Sequence, residues 1–267
     1  MSDSNLKIKL PKIRLFIDKK LYVDNILIQE IEIANNDFNY IINVMRLKID
    51  DYIVVFNGID GDFLAQINTI SKKSFKVLIV NKLKEIVEVP KITLAFSLIK
   101  NAKIDLLATK ATELGVRCFQ PLITQRTVVN ELNFNKFQAN IKEACEQSNR
   151  NDFPMINATE KFEKFLNKID INSIILVGDE TGNGEQAKNI LPKLATQIQE
   201  NNMNIILFIG PEGGFVESEF KALKKLNNCH FLNFGPRILR SDTAIIAGLT
   251  LIQEFIGDFN LKPNFYE

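Results

Sequence analysis

Short apolar segments separated by Asn, Asp and Gly dominate the first third of the chain. This rhythm is typical of a small β-barrel or sheet. Helical spacing of apolar positions interrupts it at residues 37–47, and Gly58 and Gly61 indicate a hairpin between two neighbouring strands. The strands predicted in this part are 15–17, 26–33, 52–56, 63–67 and 75–80.

The pattern changes at residues 81–91, where a mixed charged stretch leads to Pro90. We place a domain boundary there, which divides the chain into residues 1–80 and residues 81–267. Beyond it, strand-like runs alternate with amphipathic helical runs, which predicts an α/β domain with a parallel sheet covered by helices. The predicted strand and helix pairs are 92–99 with 103–114, 119–123 with 134–149, 173–177 with 185–199, 205–209 with 217–226, and 231–234 with 242–255.

Three loops of this second domain are candidates for a ligand site, because ligands of open α/β sheets bind beyond the carboxyl ends of the strands. They span residues 178–184, 210–215 and 235–241, and each begins with glycine. The second loop has neither the G-x-G-x-x-G fingerprint nor the Gly-Lys-Ser/Thr of a P-loop. The motifs that usually indicate a nicotinamide or nucleoside triphosphate cofactor are therefore absent from this loop. A ligand with an adenine ring and no phosphates suits it better, although a glycine-rich loop by itself is also an ordinary turn.

Composition narrows the class of protein further. The 267 residues are 46% hydrophobic, enough for a globular core, and no apolar run approaches the roughly 20 residues of a membrane helix. The N-terminus has no secretory signal, so we expect a cytoplasmic protein without a membrane partner. Three widely spaced cysteines are expected to be reduced thiols. The single histidine, His230, is not in a cluster of residues of the kinds that complete a catalytic triad or a zinc site, so we expect no metal.

Positive charge is concentrated in two places although the formal net charge is only +1. Arg237 and Arg240 lie in the third loop, where two guanidinium groups at a cleft need an anion such as an RNA phosphate. Ser241 or Asp242 is expected to cap the helix that follows. The first twenty residues form a basic arm, with Lys7, Lys9, Lys12, Arg14, Lys19 and Lys20.

The second and third loops resemble the two signature loops of the RsmE family, the 16S ribosomal RNA uridine N3 methyltransferases of the SPOUT superfamily. The stretches that carry this resemblance are Ile209-Gly-Pro-Glu-Gly-Gly-Phe215 and Phe234-Gly-Pro-Arg-Ile-Leu-Arg-Ser-Asp-Thr-Ala244. Asp242 stands where the family usually has glutamate, and Phe234 where leucine is usual. The resemblance covers nearly the whole chain, and its further motifs are residues 44–47, 50–51, 56–58, 110–116, 121–129 and 144–150.

The resemblance implies an α/β fold in which a small PUA-like β-barrel domain precedes a SPOUT methyltransferase domain with an α/β-knot, a deep trefoil knot. Knots are rare exceptions among protein connections, and periodicity does not reveal them. The family implies S-adenosyl-L-methionine as the cofactor, a homodimer with the pocket beside the subunit interface, and 16S rRNA or the small ribosomal subunit as partner. The implied cofactor-binding residues are Leu176, Val177, Gly178, Ile209, Gly210, Gly214, Phe234, Gly235, Ile238, Leu239, Thr243 and Ala244.

For the reaction, Arg240 or Arg237 is our candidate to stabilise an anion at N3 of uracil, and Glu212 and Asp242 are alternative proton acceptors. Two other functions stay open: a SPOUT methyltransferase for another RNA or base atom, and a non-catalytic RNA-binding factor for ribosome assembly. Each predicted RNA contact has an alternative as a solvated surface charge. These predicted contacts are Lys12, Arg14, Arg46, Arg126 and Arg150.

Overall fold

The computed structural model describes residues 11–99, 101–129 and 131–262, and these form two compact units. Among the described residues, the first unit holds 11–88 and 145–153, and the second holds 89–144 and 154–262. The predicted division at residue 80 assigns residues 145–153 to the second domain, whereas in the structure they pack with the first unit. Lys7 and Lys9 of the predicted basic arm lie outside the described residues.

A five-stranded sheet is the centre of the first unit. Its elements are β1 (Arg14–Phe16), β2 (Tyr22–Val23), β3 (Ile26–Leu27), β4 (Glu30–Ala34), α1 (Asn35–Phe38), the π-helix Asn39–Val44, β5 (Tyr52–Phe56), β6 (Asp62–Ile70) and β7 (Ser74–Lys84). The strand order is β1-β5-β6-β7-β4, and β1 pairs with β5 in parallel while the other pairs are antiparallel. The single strand predicted at 26–33 is two strands in the structure, and the predicted helix continues from α1 into the π-helix.

Alternation along β4 shows why this sheet forms. Ile31 and Ile33 are buried, whereas Glu30 and Glu32 are exposed, as expected for a strand with one face on a core. The hairpin predicted from the glycine pair joins β5 to β6, which pair from Tyr52 with Gln66 onwards. The glycine pair therefore predicts the hairpin of β5 and β6 correctly.

A buried polar network fastens residues 145–153 to the sheet of the first unit. The Arg14 guanidinium donates to Asp62 Oδ1 at 3.1 Å and to the carbonyl of Arg150 at 2.7 Å. The side chains of Arg14, Asp62 and Arg150 are only 5%, 0% and 8% exposed, and Arg150 pairs in turn with Asp152. Stacking of the Phe153 ring on Phe16, with centroids 4.2 Å apart, completes the attachment.

A parallel sheet covered by helices forms the second unit. The elements are β8 (Ile92–Ser97), α2 (Asn101–Glu113), β9 (Cys118–Ile123), α3 (Phe134–Gln147), β10 (Met155–Ile156), β11 (Glu160–Lys161), α4 (Phe162–Leu166), β12 (Ser173–Gly178), β13 (Glu185–Gln186), α5 (Ala187–Asn201), β14 (Asn204–Ile209), α6 (Glu217–Lys224), β15 (Cys229–Asn233) and α7 (Ser241–Phe255). The strand order is β10-β9-β8-β14-β12-β15-β13, with β11 also on β9, and all pairs are parallel. The predicted parallel sheet is confirmed.

The sheet order places three strand ends side by side. β12 lies between β14 and β15, so the loops that leave these three strands start at neighbouring positions on one edge of the sheet. The central strands carry long apolar runs, as in β14, where every residue from Ile205 to Ile209 is buried. Strands covered on both faces require such continuous apolar runs.

The start of α7 differs from the prediction. Arg240 occupies the N-cap position, and no side chain caps the helix there. The predicted capping by Ser241 or Asp242 is therefore wrong, because the helix already begins at Ser241. The Ser241 hydroxyl instead donates to the carbonyl of Gly210 at 2.9 Å, and Asp242 sits within the first turn, where a negative charge favours the helix dipole.

Within residues 11–99, 101–129 and 131–262, no helix combines the length and apolar character of a membrane span, and no group of His, Cys, Asp or Glu has a geometry suited to a metal ion.

Candidate active site

A cavity of about 280 Å³ opens where the loops after β12, β14 and β15 converge. Its volume is close to the lower end of the range of roughly 300–1,000 Å³ for small-molecule sites. All three loops predicted from the strand-end rule contribute to it. The lining residues are Gly178, Asp179, Glu180, Thr181, Gly182, Ile209, Gly210, Pro211, Glu212, Gly214, Asn233, Phe234, Gly235, Pro236, Arg237, Ile238, Leu239, Ser241 and Ala244.

Hydrogen bonds between the loops hold the cavity walls together. Asn233, the last residue of β15, donates through its amide to the carbonyl of Gly182 at 3.2 Å and accepts from the Gly235 backbone N–H at 2.7 Å. Gly235 has a φ of +105°, a conformation that side chains disfavour, so the third loop needs glycine at this point. The Ser241 to Gly210 bond joins the start of α7 to the second loop.

Most of the predicted cofactor residues line this cavity. Leu176 and Val177 do not, because they are buried inside β12 between β14 and β15, and Thr243 is exposed on α7 without lining the cavity. The predicted residues that line it are Gly178, Ile209, Gly210, Gly214, Phe234, Gly235, Ile238, Leu239 and Ala244.

Sequence reasoning missed several polar lining residues, namely Asp179, Glu180, Thr181 and Asn233. Asp179, Glu180 and Thr181 follow Gly178 in the first loop, and Asn233 is the last residue of β15. Position at a strand end is therefore the signal that identifies them.

The four predicted catalytic residues separate into two pairs. Glu212 and Arg237 line the cavity, and Glu212 Oε1 accepts a hydrogen bond from Lys103 Nζ at 2.8 Å. Arg240 is exposed at the N-cap of α7 and is not a lining residue. Asp242 does not line the cavity either, but its Oδ1 is buried and has no hydrogen-bond partner among the described residues.

Arg126 lies beside the cavity wall. Its guanidinium donates to the carbonyl of Gly213, in the loop after β14. The buried Glu219 carboxylate accepts the backbone N–H groups of Gln125 and Val216, both at 2.9 Å, and so fastens the Arg126 turn to the start of α6. This predicted RNA contact is exposed and lies at the site.

The other predicted RNA contacts differ in exposure. Lys12 and Arg46 are exposed, and Arg46 adopts a φ of +59° in a surface turn. Arg14 and Arg150 are buried in the network with Asp62, where their charges are already compensated. That burial contradicts the prediction that Arg14 and Arg150 hold RNA phosphates.

The residues of the cavity fit S-adenosylmethionine better than a phosphate-bearing ligand. Of the described lining residues, three are carboxylates, Asp179, Glu180 and Glu212, and one carries a guanidinium, Arg237. S-adenosylmethionine carries a sulfonium and an ammonium against one carboxylate and is therefore a net cation, whereas a phosphate-bearing ligand would meet repulsion from the carboxylates. Gly178, Gly210 and Gly235 line the cavity, and glycine allows a backbone to approach a ligand closely.

Comparisons with known proteins agree with these observations. A sequence model of an RNA methyltransferase domain matches residues 87–253, and one of an RNA methyltransferase PUA domain matches residues 33–80. The ribosomal RNA small subunit methyltransferase E of Rickettsia conorii is 32% identical over 241 residues, covering 90% of this chain and 94% of that protein. The enzyme of the same name from Bacillus subtilis is 27% identical, covering 82% and 88%.

A solved structure resembles the chain over nearly its whole length. The crystal structure of ribosomal RNA small subunit methyltransferase E from Neisseria gonorrhoeae, bound to S-adenosyl methionine, has a TM-score of 0.79 and 26% identity. The match covers 92% of this chain and 99% of that one.

Proposed function

Because the chain belongs to the ribosomal RNA small subunit methyltransferase E family, we propose that it methylates N3 of a uridine in 16S ribosomal RNA with S-adenosylmethionine as donor. The observation that carries this proposal is the convergence of three glycine-led loops on one cavity at the ends of adjacent parallel strands. The family and this cavity support an enzyme over a non-catalytic assembly factor.

Named residues would hold the cofactor. The backbone of Gly178, Gly210 and Gly235 would bond the adenosine part, and Ile209 and Leu239 would supply apolar wall. When bound, S-adenosylmethionine supplies an electrophilic methyl group on a positively charged sulfur. The protein must bring a uracil ring to that methyl, which requires the base to leave any stack in the RNA.

Formation of the N3–methyl bond releases the N3 proton, and we assign its acceptance to Asp242. Glu212 is already engaged by the Lys103 ammonium, whereas Asp242 Oδ1 is buried without a hydrogen-bond partner among the described residues. A buried carboxylate oxygen without a partner costs about 1–3 kcal/mol, which a proton donor from the substrate would recover.

Charge that develops on the uracil needs a cation nearby. Arg237 and Arg240 remain the candidates, and Arg237 has the stronger support because it lines the cavity. For the RNA backbone we retain the exposed Lys12, Arg46 and Arg126.

At the level of architecture, we propose that residues 1–80 act as a PUA-like RNA-binding domain and that residues 81–267, apart from residues 145–153, which pack with the first unit, act as a SPOUT domain with a deep trefoil knot. Insertion of β14 between β8 and β12 supports a non-sequential path of the chain. A homodimer in the cytoplasm completes the proposal, and the 87% exposure of Ile238 beside the cavity supports a covering partner. A monomer by light scattering at working concentration would contradict the dimer.

The deciding experiment is nucleoside analysis of 16S rRNA from a deletion strain. We expect 3-methyluridine to disappear and to return when the wild-type gene is supplied. Unchanged 3-methyluridine in the deletion strain would refute the substrate assignment, and loss of a different modified nucleoside would favour another RNA or base atom. Calorimetry with S-adenosylmethionine tests the enzyme class, since a protein that binds none would be an assembly factor.

Single variants test the residue assignments with purified, folded protein. Asp242→Asn should lower the rate of methyl transfer at saturating cofactor more than Glu212→Gln does, because only Asp242 is assigned the proton. A larger loss of rate in Glu212→Gln than in Asp242→Asn would indicate that Glu212 accepts the proton. Arg237→Ala and Arg240→Ala, compared in the same assay, identify the cation that acts on the uracil.

A further inference from the structure

Glu180 is a cavity carboxylate that none of the roles above uses. Of the three lining carboxylates, Asp179 accepts the backbone N–H of Thr181 and Glu212 accepts the Lys103 ammonium, both at 2.8 Å. Glu180 differs from both, because no other residue in the described part of the chain donates a hydrogen bond to its carboxylate. The Glu180 oxygens are therefore not committed to a donor from another described residue.

The Glu180 carboxylate lies where two walls of the cavity meet. Glu180 belongs to the loop after β12, yet a methyl group built on Gly214, in the loop after β14, would lie only 2.0 Å from Glu180 Oε1. Gly214 has a φ of +68°, so this close approach uses a position that already favours glycine. The carboxylate therefore rests on the backbone of the second loop.

The surroundings leave this carboxylate in need of a cation. Burial raises the pKa of Glu180 and the charge of Asp179 acts in the same direction, whereas its own backbone N–H and the Arg126 guanidinium oppose them. A partly desolvated carboxylate interacts strongly with any positive charge that enters beside it. Among the lining residues that the structure describes, Arg237 alone is basic.

We propose that Glu180 is the residue with which the cavity recognises a positive charge of its cofactor, an inference that rests on the proposed function. S-adenosylmethionine offers two such charges, the sulfonium and the α-ammonium. Methyl transfer turns the sulfonium into the neutral thioether of S-adenosylhomocysteine, while the ammonium persists. If Glu180 contacts the sulfonium, the cavity will bind S-adenosylmethionine more tightly than S-adenosylhomocysteine. If Glu180 contacts the ammonium, it will contribute equally to the binding of both molecules.

The test is calorimetry of the wild-type chain and of Glu180→Gln with three ligands. These are S-adenosylmethionine, S-adenosylhomocysteine and 5′-methylthioadenosine, which lacks both charges. The variant should bind S-adenosylmethionine about tenfold more weakly, the size expected for one charge-assisted contact. Its affinity for 5′-methylthioadenosine should equal that of the wild type. If Glu180→Gln binds S-adenosylhomocysteine as tightly as the wild type does, Glu180 contacts the sulfonium. If the variant loses as much affinity for S-adenosylhomocysteine as for S-adenosylmethionine, Glu180 contacts the ammonium.

Two results would overturn the inference: an unchanged affinity for S-adenosylmethionine, or an equal loss for 5′-methylthioadenosine, which would indicate a change of cavity shape. Glu217→Gln is the matched control, because it removes the same charge from the exposed first turn of α6, where Glu217 pairs with Lys221 at 2.7 Å. Wild-type protein that binds no S-adenosylmethionine would refute the proposed function itself. The two failures are therefore distinguishable.

Discussion

Replacing Gly214 by alanine should displace the Glu180 carboxylate with only a modest loss of stability. The new methyl would lie 2.0 Å from Glu180 Oε1 and 3.0 Å from its Cδ. These atoms are at the far end of a rotatable side chain, so the carboxylate moves and the backbone stays. Gly182→Ala is the matched comparison, since Gly182 has a similar φ of +78° and nothing within 4 Å of its added methyl.

Both replacements place an alanine at a positive φ, so their conformational cost should be similar. Only the methyl at position 214 collides with the Glu180 carboxylate. An alanine in the left-handed region costs roughly 1–2 kcal/mol, so urea unfolding should show similar losses for both variants. Displacement of a charge-assisted contact adds about 1.4 kcal/mol to the loss of cofactor binding in Gly214→Ala, a further factor of about ten by calorimetry. The difference in cofactor affinity between Gly214→Ala and Gly182→Ala therefore measures the effect of displacing the Glu180 carboxylate.

A double variant sharpens this test. If Gly214→Ala acts by moving the carboxylate, it should add little to the loss already present in Glu180→Gln, because residues in contact are not additive. Equal cofactor affinity of the two alanine variants, or full additivity in the double variant, would refute the reasoning.

Four further outcomes follow from described contacts. Asp62→Asn should lower the free energy of unfolding by about 3–5 kcal/mol, because it leaves the Arg14 charge buried, whereas Glu88→Gln on the surface should not. Lys103→Gln should change stability by less than about 1 kcal/mol, since its ion pair is partly exposed. Burial raises the pKa of Cys145 from 9.0 to about 12, so its contribution to stability is complete below pH 9 and lost as pH rises toward 12. That alkaline loss should be smaller in Cys145→Ala when unfolding is measured against pH. Arg46→Gln should lower the salt slope of RNA binding by about one unit, and an unchanged slope would remove Arg46 from the interface.

The strand-end rule located the cavity from sequence because it depends on local features, namely a buried strand followed by a glycine-led loop. The order of the strands was not predictable, since the position of β14 between β8 and β12 depends on long-range pairing. Leu176 and Val177, which the family resemblance implied as cofactor residues, lie inside β12 and do not line the cavity. A sequence motif does not fix the residue at which a strand ends and its loop begins.

The fate of Arg14 and Arg150 shows the same limit for charge. From its sequence context alone, a basic residue is predicted to lie on the surface. Burial of its charge becomes favourable only when it has polar partners, and these can be far away in the sequence. Arg14 meets Asp62, 48 positions away, and the carbonyl of Arg150, 136 positions away. Glu180 was overlooked for the opposite reason, because an acidic residue in a polar loop gives no local sign of the backbone it will rest on.

The packing of residues 145–153 within the first unit has a consequence for how the protein is made. During synthesis the first eighty-eight residues emerge before the segment that packs against them, so Arg14 awaits the carbonyl of Arg150 and Phe16 awaits the ring of Phe153. The unit can finish folding only after β8, α2, β9 and α3 have also left the ribosome. An excised N-terminal fragment, or a chimera that exchanges only this fragment, would therefore lack the Arg150 and Phe153 contacts.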